Sequence, residues 1–475
     1  MNAAPTVLAI DQGSHASRAA VFDSGGRRGE IAYCAVSTTR PRAGWVEQDA
    51  EELFESVREC VRQVTRGVDP ATLRAGLATQ RSSIVCWDRH SGAALSPVLS
   101  WRDRRAADWL EQFHAREDEI AERTGLPLSA HYGASKIAWC LANLERVRAA
   151  GDRLVIGPLA SFLAHRLCPG TVPVSDPANA SRTLLYNRHT LDWDDRLLGL
   201  FGIGREHLPL CVPTRHGFGG IPVAAKPIPL ELVTGDQAAA FYAGAETGSG
   251  NAFINLGTGA FLQIATGARA LRVKGLLTSI AYADDNGPRY VLEGTVNGAG
   301  NALTQVAGEL GFDSDAYATD LEGWIGSVQN PPLFLNGIGG LGSPWWQAQF
   351  DSRFLGPGNA EASMVAVCES ILFLLQANLD RARTALAPKS IRVGGGIARC
   401  NALCQRLADL AQLPVWRQAE TESTLAGVAR LLGCVPASSA DDDHFEPAEN
   451  PSLRERYQRW LKAMEHALGA TSTPR

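Results

Sequence analysis

One short pattern occurs twice in this chain, about 240 residues apart, and it restricts the fold more than any other feature. Thr6 to Ile10 is an apolar run that ends at Asp11-Gln12-Gly13, with a second apolar run at Ala19 to Phe22. Asn251 to Leu256 likewise leads through Gly257-Thr258-Gly259 into Ala260 to Ala265. Each copy reads as strand, glycine turn, strand. Strands followed by helices in both halves then imply α/β layers and a duplicated domain, with the first domain over 1–247 and the second over 248–475.

Around these hairpins the punctuation is clear. Asp49 offers a helix N-cap with Glu52 three residues on, ahead of Leu53, Val57, Val61 and Val64 at helical spacing. Strands are expected at Arg74–Thr79 and Ile84–Asp88, and helices at Ala106–Phe113, Asp118–Thr124, Lys136–Arg148 and Leu159–Leu167. Val212 to Pro229, rich in Pro and Gly, reads as a loop before Thr234-Gly235-Asp236-Gln237 enters an Ala-rich helix. The second half continues with helices at Gly300–Leu310 and Ala360–Leu386, a strand Ile391–Val393 running into Gly394-Gly395-Gly396, and a helix from about Asn401. An acidic run after Asp441 and a last helix near Leu453–Leu468 are expected to be structural.

Composition removes several classes of function. With 45% hydrophobic residues, 20% charged residues and a net charge of -5, the chain can build sizeable cores and has no basic surface suited to nucleic acid. Its ten cysteines are scattered, and Cys400 with Cys404 lacks the second pair of a zinc site. The N-terminus lacks the pattern of a signal peptide, and no uninterrupted apolar run approaches eighteen residues. A cytoplasmic protein with no membrane and no nucleic-acid partner is expected.

The residues at the turns suggest chemistry. Glycine turns with small hydroxyls, Ser14 and Ser17 in one and Thr258 in the other, can present backbone amides to a polyphosphate, and Gly394 to Gly396 adds a third turn opening a helix. A carboxylate at a helix start is usually a cap, but Asp236 is placed to take a proton from a hydroxyl attacking a phosphoryl group. Asp11, at a strand end, can hold Mg²⁺ through water. Arg81 and the cluster Trp101-Arg102-Asp103-Arg104-Arg105 are the groups expected to line a cleft. Neither a P-loop nor a Rossmann fingerprint is present, and no histidine pair has metal-ligand spacing.

Taken together the segments resemble the FGGY carbohydrate kinases, and within them most closely the members that act on glycerol. The likeness runs from Ala9-Ile10-Asp11-Gln12-Gly13 through Gly44-Trp45-Val46-Glu47-Gln48-Asp49 to Gly427, and its most specific stretch is Asn179-Ala180-Ser181-Arg182-Thr183-Leu184-Leu185-Tyr186-Asn187. The resemblance implies an α/β fold of two actin-like, ribonuclease-H-like domains with a cleft between them, closing on ATP and a polyol or sugar. It implies Asp236 as catalytic base and Asp11 at the metal-phosphate end. It places Gly13, Ser14, His15, Arg18, Thr258, Gly300, Gly395 and Gly396 toward the nucleotide and its phosphates, and Arg81, Ser82, Trp101, His131, Gln237 and Phe261 in the substrate pocket.

The departures bear on substrate. Glycerol-directed members carry Gln-Arg-Glu where this chain has Gln80-Arg81-Ser82, a pocket tyrosine aligns with His131 ahead of Tyr132, and Ser14-His15-Ala16-Ser17 replaces a run of four hydroxyls. Cys400 stands for an asparagine beside the nucleotide. The expected activity is ATP- and Mg²⁺-dependent phosphorylation of a primary hydroxyl, with glycerol the leading acceptor. The alternatives are a longer polyol or ketose such as xylulose, ribulose or erythritol, or a catalytically weak regulatory protein that binds nucleotide or sugar. The family's frequent dimers and tetramers leave homo-oligomerisation open.

Overall fold

A computed structural model of the protein describes residues 6–223, 226–244, 248–313, 316–418, 422–435 and 443–471. The chain forms two compact units: unit 1 comprises Met1–Glu246, Thr278–Tyr290 and Glu422–Ser438, and unit 2 comprises Thr247–Leu277, Val291–Thr421 and Ser439–Arg475. The expected division at 247/248 adjoins residues 245–247, outside the described residues. Two segments that follow it in sequence pack with unit 1. Thr278 N donates to Gly125 O at 3.0 Å and Tyr290 Oη donates to Arg188 O at 2.7 Å.

Unit 1 is built on a six-stranded sheet of β1 (Thr6–Gln12), β2 (Ala16–Phe22), β3 (Ala32–Ala35), β4 (Leu73–Thr79), β5 (Arg215–Ile221) and β6 (Ile228–Gly235). Their order across the sheet is β5-β6-β4-β1-β2-β3. The hairpin β1–β2 is antiparallel, whereas β1 and β6 both run parallel to the central β4. β1 and β4 are apolar on both faces because both are covered, by the cluster of Leu8, Ile10, Leu53 and Val57 on one side and that of Val7, Ala9, Val428 and Leu432 on the other. The helix after Asp49, α1 (Ala50–Val64), begins as expected, with the Asp49 side chain accepting from Glu51 N and Glu52 N. The reciprocal half of the capping box is absent, since Glu52 Oε1 accepts from Ser37 N instead.

Several expectations are corrected by tertiary pairing. Val212–Pro229 is not a loop: Arg215–Ile221 pairs antiparallel with Ile228–Gly235, through a register shift between Arg215 and Gly219. Its glycines lowered the apparent strand propensity, but the sheet edge supplies the hydrogen bonds that propensity alone does not. The single helix expected over 136–148 is two, Gly133–Asn143 and Glu145–Ala149, separated at Leu144, which adopts an extended conformation. The segment expected as a helix over 106–113 is a 3₁₀ stretch, Asp108–Arg116.

Unit 2 contains β7 (Asn251–Leu256), β8 (Ala260–Gly267), β9 (Ser390–Gly394), β10 (Val415–Arg417) and β11 (Asp443–Phe445), adjacent in the order β8-β7-β9-β10-β11. β7 and β8 form the second hairpin, and β9 runs parallel to β7. The repeated sequence pattern is thus a repeated strand arrangement. A helix over Ala360–Arg383 is long and apolar enough to cross a membrane by length and composition, yet its apolar stretch is wholly buried in the core of unit 2 with Ile254, Leu407 and Trp460. The terminal helix, Pro451–Thr471, buries Leu453, Trp460 and Met464 in the same core.

Candidate active site

In unit 1 the C-terminal ends of three adjacent parallel strands meet, the edge at which open α/β sheets gather their ligands. Asp11 on β1 and Thr234 on β6 both lie opposite Ala78 of β4, and Gln12 and Gly235 both lie opposite Thr79. The chain leaves β6 directly into α2 (Asp236–Tyr242), so Asp236 is the first residue of a helix at this edge. It does not serve as the N-cap, a position held by Gly235. Its Oδ1 accepts from Gln237 N at 2.7 Å and lies 3.9 Å from Arg81 Nε. Gly235 leaves room for that arginine, since a Cβ there would fall 2.5 Å from Arg81 Cδ.

Asp11 faces a different partner. Arg18, opposite it in the β1–β2 hairpin, brings NH1 to 3.7 Å from Asp11 Oδ2 and Nε to 3.7 Å from Glu422 Oε2. Asp11 Oδ1 is buried and has no hydrogen-bond partner. Burial first, then the charge of Asp236, raises the Asp11 carboxyl; Arg18 opposes and Glu422 adds to the rise, and the result is about 7. A buried carboxylate with an unused oxygen beside further acids is electrostatically incomplete, and a cation completes it. Among the described residues no group of three or more His, Cys, Asp or Glu side chains is arranged to hold a metal. A single carboxylate suits Mg²⁺, which keeps most of its waters.

The turn between β1 and β2 is fixed by a buried amide network. Gln80 Nε2 donates to Gln48 Oε1 at 2.9 Å and to Gln12 Oε1 at 3.2 Å, Gln48 Nε2 donates to Ser14 O at 3.0 Å, and Trp101 Nε1 donates to Ser14 Oγ at 2.9 Å. Gly13 N closes the turn on Ala16 O at 2.9 Å. Partial burial and the charges of Arg102, Arg18 and Arg40 hold the His15 imidazole below its ordinary value, so a neutral ring sits in a positive field. Ser17 does not join this turn. Its hydroxyl is buried against Ser56 Oγ at 2.8 Å, because alternate residues of β2 face opposite sides of the sheet.

The expected substrate residues form a wall beside the turn. The Trp101 and His131 rings lie 5.6 Å apart, and the His131 and Tyr132 rings 5.0 Å. Burial, followed by the charges of Arg104, Lys136, Arg182 and Arg81, holds His131 well below its usual value. Ser82 adopts a left-handed backbone at φ 63°, and its Oγ is buried with no hydrogen-bond partner, as is Gln237 Oε1.

Unit 2 holds its own group. Gly300 N donates to Gly257 O at 3.0 Å and Asn301 N to Thr258 O at 3.1 Å, so the second hairpin turn and the start of the helix Gly300–Glu309 are bound together. A Cβ at Gly300 would lie 2.8 Å from Gly257 O. Gly395 has φ +95°, and a Cβ there would meet Leu256 O at 2.4 Å, so only glycine fits at the exit of β9. Gly396 follows in an exposed turn and Phe261 stands on β8 opposite Asn255. The structure therefore gathers Asp11, Gly13, Ser14, His15, Arg18, Arg81, Ser82, Trp101, His131, Asp236 and Gln237 in unit 1. It gathers Thr258, Phe261, Gly300, Gly395 and Gly396 in unit 2. Sequence reasoning assigned no role to Glu422, some 400 residues from the arginine it faces, and no local signal marks it.

Comparison with known proteins gives concordant matches. The model of the FGGY family of carbohydrate kinases, N-terminal domain, matches residues 6–241, and that of the C-terminal domain matches residues 252–435. A glycerol kinase of Geobacter sp. is 34% identical, across 98% of this chain and 99% of the relative. The crystal structure of Plasmodium falciparum glycerol kinase with ADP superposes with a TM-score of 0.88 at 23% identity, covering 98% of each chain. A ligand-bound xylulose kinase from Lactobacillus acidophilus gives a TM-score of 0.84 at 19% identity, covering 99% of each.

Proposed function

Because this chain belongs to the FGGY family of carbohydrate kinases and is a phosphotransferase acting on an alcohol group, we propose that it moves the γ-phosphoryl group of ATP onto a primary hydroxyl of a small polyol or sugar, with glycerol as the leading acceptor. The observation that carries this reading is the placement of Asp236 at the end of β6, ahead of α2, where its charge is felt by the buried Asp11. One carboxylate is then available as base and the other is suited to a cation. As the acceptor oxygen bonds to phosphorus, the bond between the γ-phosphorus and the bridging oxygen breaks. The hydroxyl proton passes to Asp236, and the products are ADP and a phosphate ester.

The residues divide the work. Arg81, with Nε 3.9 Å from Asp236 Oδ1, orients that carboxylate. Ser14 and the amides of its turn, braced by Trp101 and Gln80, face phosphate oxygens. Asp11 would hold Mg²⁺, which would supply neutralisation of charge on the phosphates. In unit 2, Gly396 leaves open space beside its backbone that suits close approach by a nucleotide, while Gly300 and Gly395 hold the neighbouring turns tight against Gly257 and Leu256.

A longer acceptor such as xylulose, ribulose or erythritol is the second reading, supported by Ser82 and His131 in the pocket wall. ADP formation measured over glycerol, erythritol, xylulose and ribulose, with Mg²⁺ and an acceptor-free control, decides between them. Asp236→Asn should lower turnover by roughly 100- to 10,000-fold with the fold intact. Turnover retained in that variant would refute the role given to Asp236, and no acceptor-dependent ADP from the wild type would refute the kinase reading in favour of a binding protein.

A further inference from the structure

One face of the unit 1 sheet carries a row of three side chains from adjacent strands. In register, Asp11 of β1 lies opposite Arg18 of β2, and Arg18 lies opposite Tyr33 of β3. Paired residues share a face, and this one also carries Val7, Ala9 and Ala20, which pack with Leu425, Val428 and Ala429. Those last three belong to the helix Ser423–Leu431. Gly76 of β4 lets that helix settle closely, since a Cβ there would fall 2.5 Å from Val428 Cγ1. The start of the helix is thereby brought to the row, and Glu422 precedes it.

Glu422 occupies the N-cap position, yet its side chain makes no capping hydrogen bond. Its Oε2 lies 3.7 Å from Arg18 Nε, while Asp11 Oδ2 lies 3.7 Å from Arg18 NH1. The guanidinium carbon sits 5.4 Å from the centroid of the Tyr33 ring. Both carboxylate distances exceed that of a hydrogen bond. A single carboxylate beside an arginine would draw it into a close, two-pronged pair and consume its donors. Two carboxylates pulling on different nitrogens instead leave Arg18 suspended, its side chain 32% exposed at the sheet edge where phosphates are expected.

Resting on the kinase reading above, we propose that Glu422 is a positioning residue for Arg18. It holds the guanidinium back from Asp11, so that Arg18 keeps donors for a phosphate oxygen of ATP and Asp11 keeps its oxygens for a cation. Without the Glu422 charge the pull on Arg18 is one-sided, and the arginine closes on Asp11. Glu422 touches no reacting atom in this role and acts through Arg18.

Calorimetric titration with metal-free ATP, in EDTA, separates this role from a plain charge effect. Removing a negative charge near a phosphate site should by itself tighten the binding of an anion, whereas loss of the suspended Arg18 should weaken it. Glu422→Gln is expected to bind ATP roughly 10-fold more weakly, the lower end of one charge-assisted hydrogen bond, at an unchanged melting temperature. In an Arg18→Gln background the same substitution should weaken ATP binding by less than about twofold. Unchanged or tighter binding by Glu422→Gln overturns the inference. So does an equal weakening in the Arg18→Gln background, which would show Glu422 acting through its helix instead. A wild type that binds no ATP overturns it as well. Acceptor-dependent ADP formation tests the kinase reading separately: a protein that binds ATP without turnover loses that reading, while the titration still decides the role of Glu422.

Discussion

Gly427 lies directly against Ala239: a Cβ built on Gly427 would stand 1.7 Å from the Ala239 carbonyl oxygen. Gly427 belongs to the helix Ser423–Leu431 and Ala239 to the helix that begins at Asp236, so this contact sets how closely the two helices of unit 1 approach. The obstacle is backbone, which cannot swing aside as a long side chain would. Gly427→Ala should therefore displace the Asp236 helix, destabilise the protein by about 1–3 kcal/mol and lower kcat more than it changes KM. Denaturant unfolding beside steady-state kinetics checks this, and a variant with unchanged kcat would show that Asp236 does not depend on that packing.

Asp11 makes a prediction about metal. Its unused buried Oδ1 gives Mg²⁺ a carboxylate to bind, so chelation with EDTA should abolish turnover. Asp11→Asn should raise the Mg²⁺ concentration for half-maximal turnover by roughly tenfold or more while leaving the fold intact. An unchanged Mg²⁺ dependence in the variant would place the metal elsewhere.

Asp176 gives a pH dependence away from the reacting groups. Burial raises its carboxyl to about 7, against opposing hydrogen bonds from Asn179 and nearby backbone. The folded value lies above the unfolded one, so the folded state binds more protons between about pH 4 and 7. Stability from this group is full below pH 4 and is lost as pH rises toward 7. Asp176→Asn removes the titration, so the variant should gain on the wild type through that window and hold a constant difference above it. Thermal unfolding of both at pH 4.5, 6 and 8 checks the sign.

Glu369 is the electrostatic centre of unit 2. It is 1% exposed and accepts from Arg456 at 2.8 and 2.6 Å and from Arg406 at 2.6 Å, tying the terminal helix to Ala360–Arg383. Glu369→Ala leaves two guanidinium groups without their carboxylate and should cost about 3–5 kcal/mol. Urea unfolding measures it, and a loss under about 1 kcal/mol would show that water reaches those groups.

What was legible in the sequence follows from how local the cause is. The two glycine hairpins, the Asp49 cap and the start of the Asp236 helix are written in neighbouring residues, and the structure contains each of them. The edge strand Arg215–Ile221 was hidden because it draws its hydrogen bonds from Ile228–Gly235 rather than from its own propensity. The break at Leu144 likewise lacks any Pro or Gly to announce it.

The sequence by itself determined the repeated α/β design, the family to which the chain belongs and the identity of the residues that carry charge and glycine at the turns. Only the tertiary structure decided which of those charges act on one another. Glu422 reaches Arg18 across some 400 residues, Arg105 takes up Asp103, and Lys136 is enclosed by the carbonyl oxygens of Ala130, His131 and Tyr132. Chain order records covalent neighbours, whereas Coulomb forces depend on distance and burial, and both are set only when the strands pair and water is excluded.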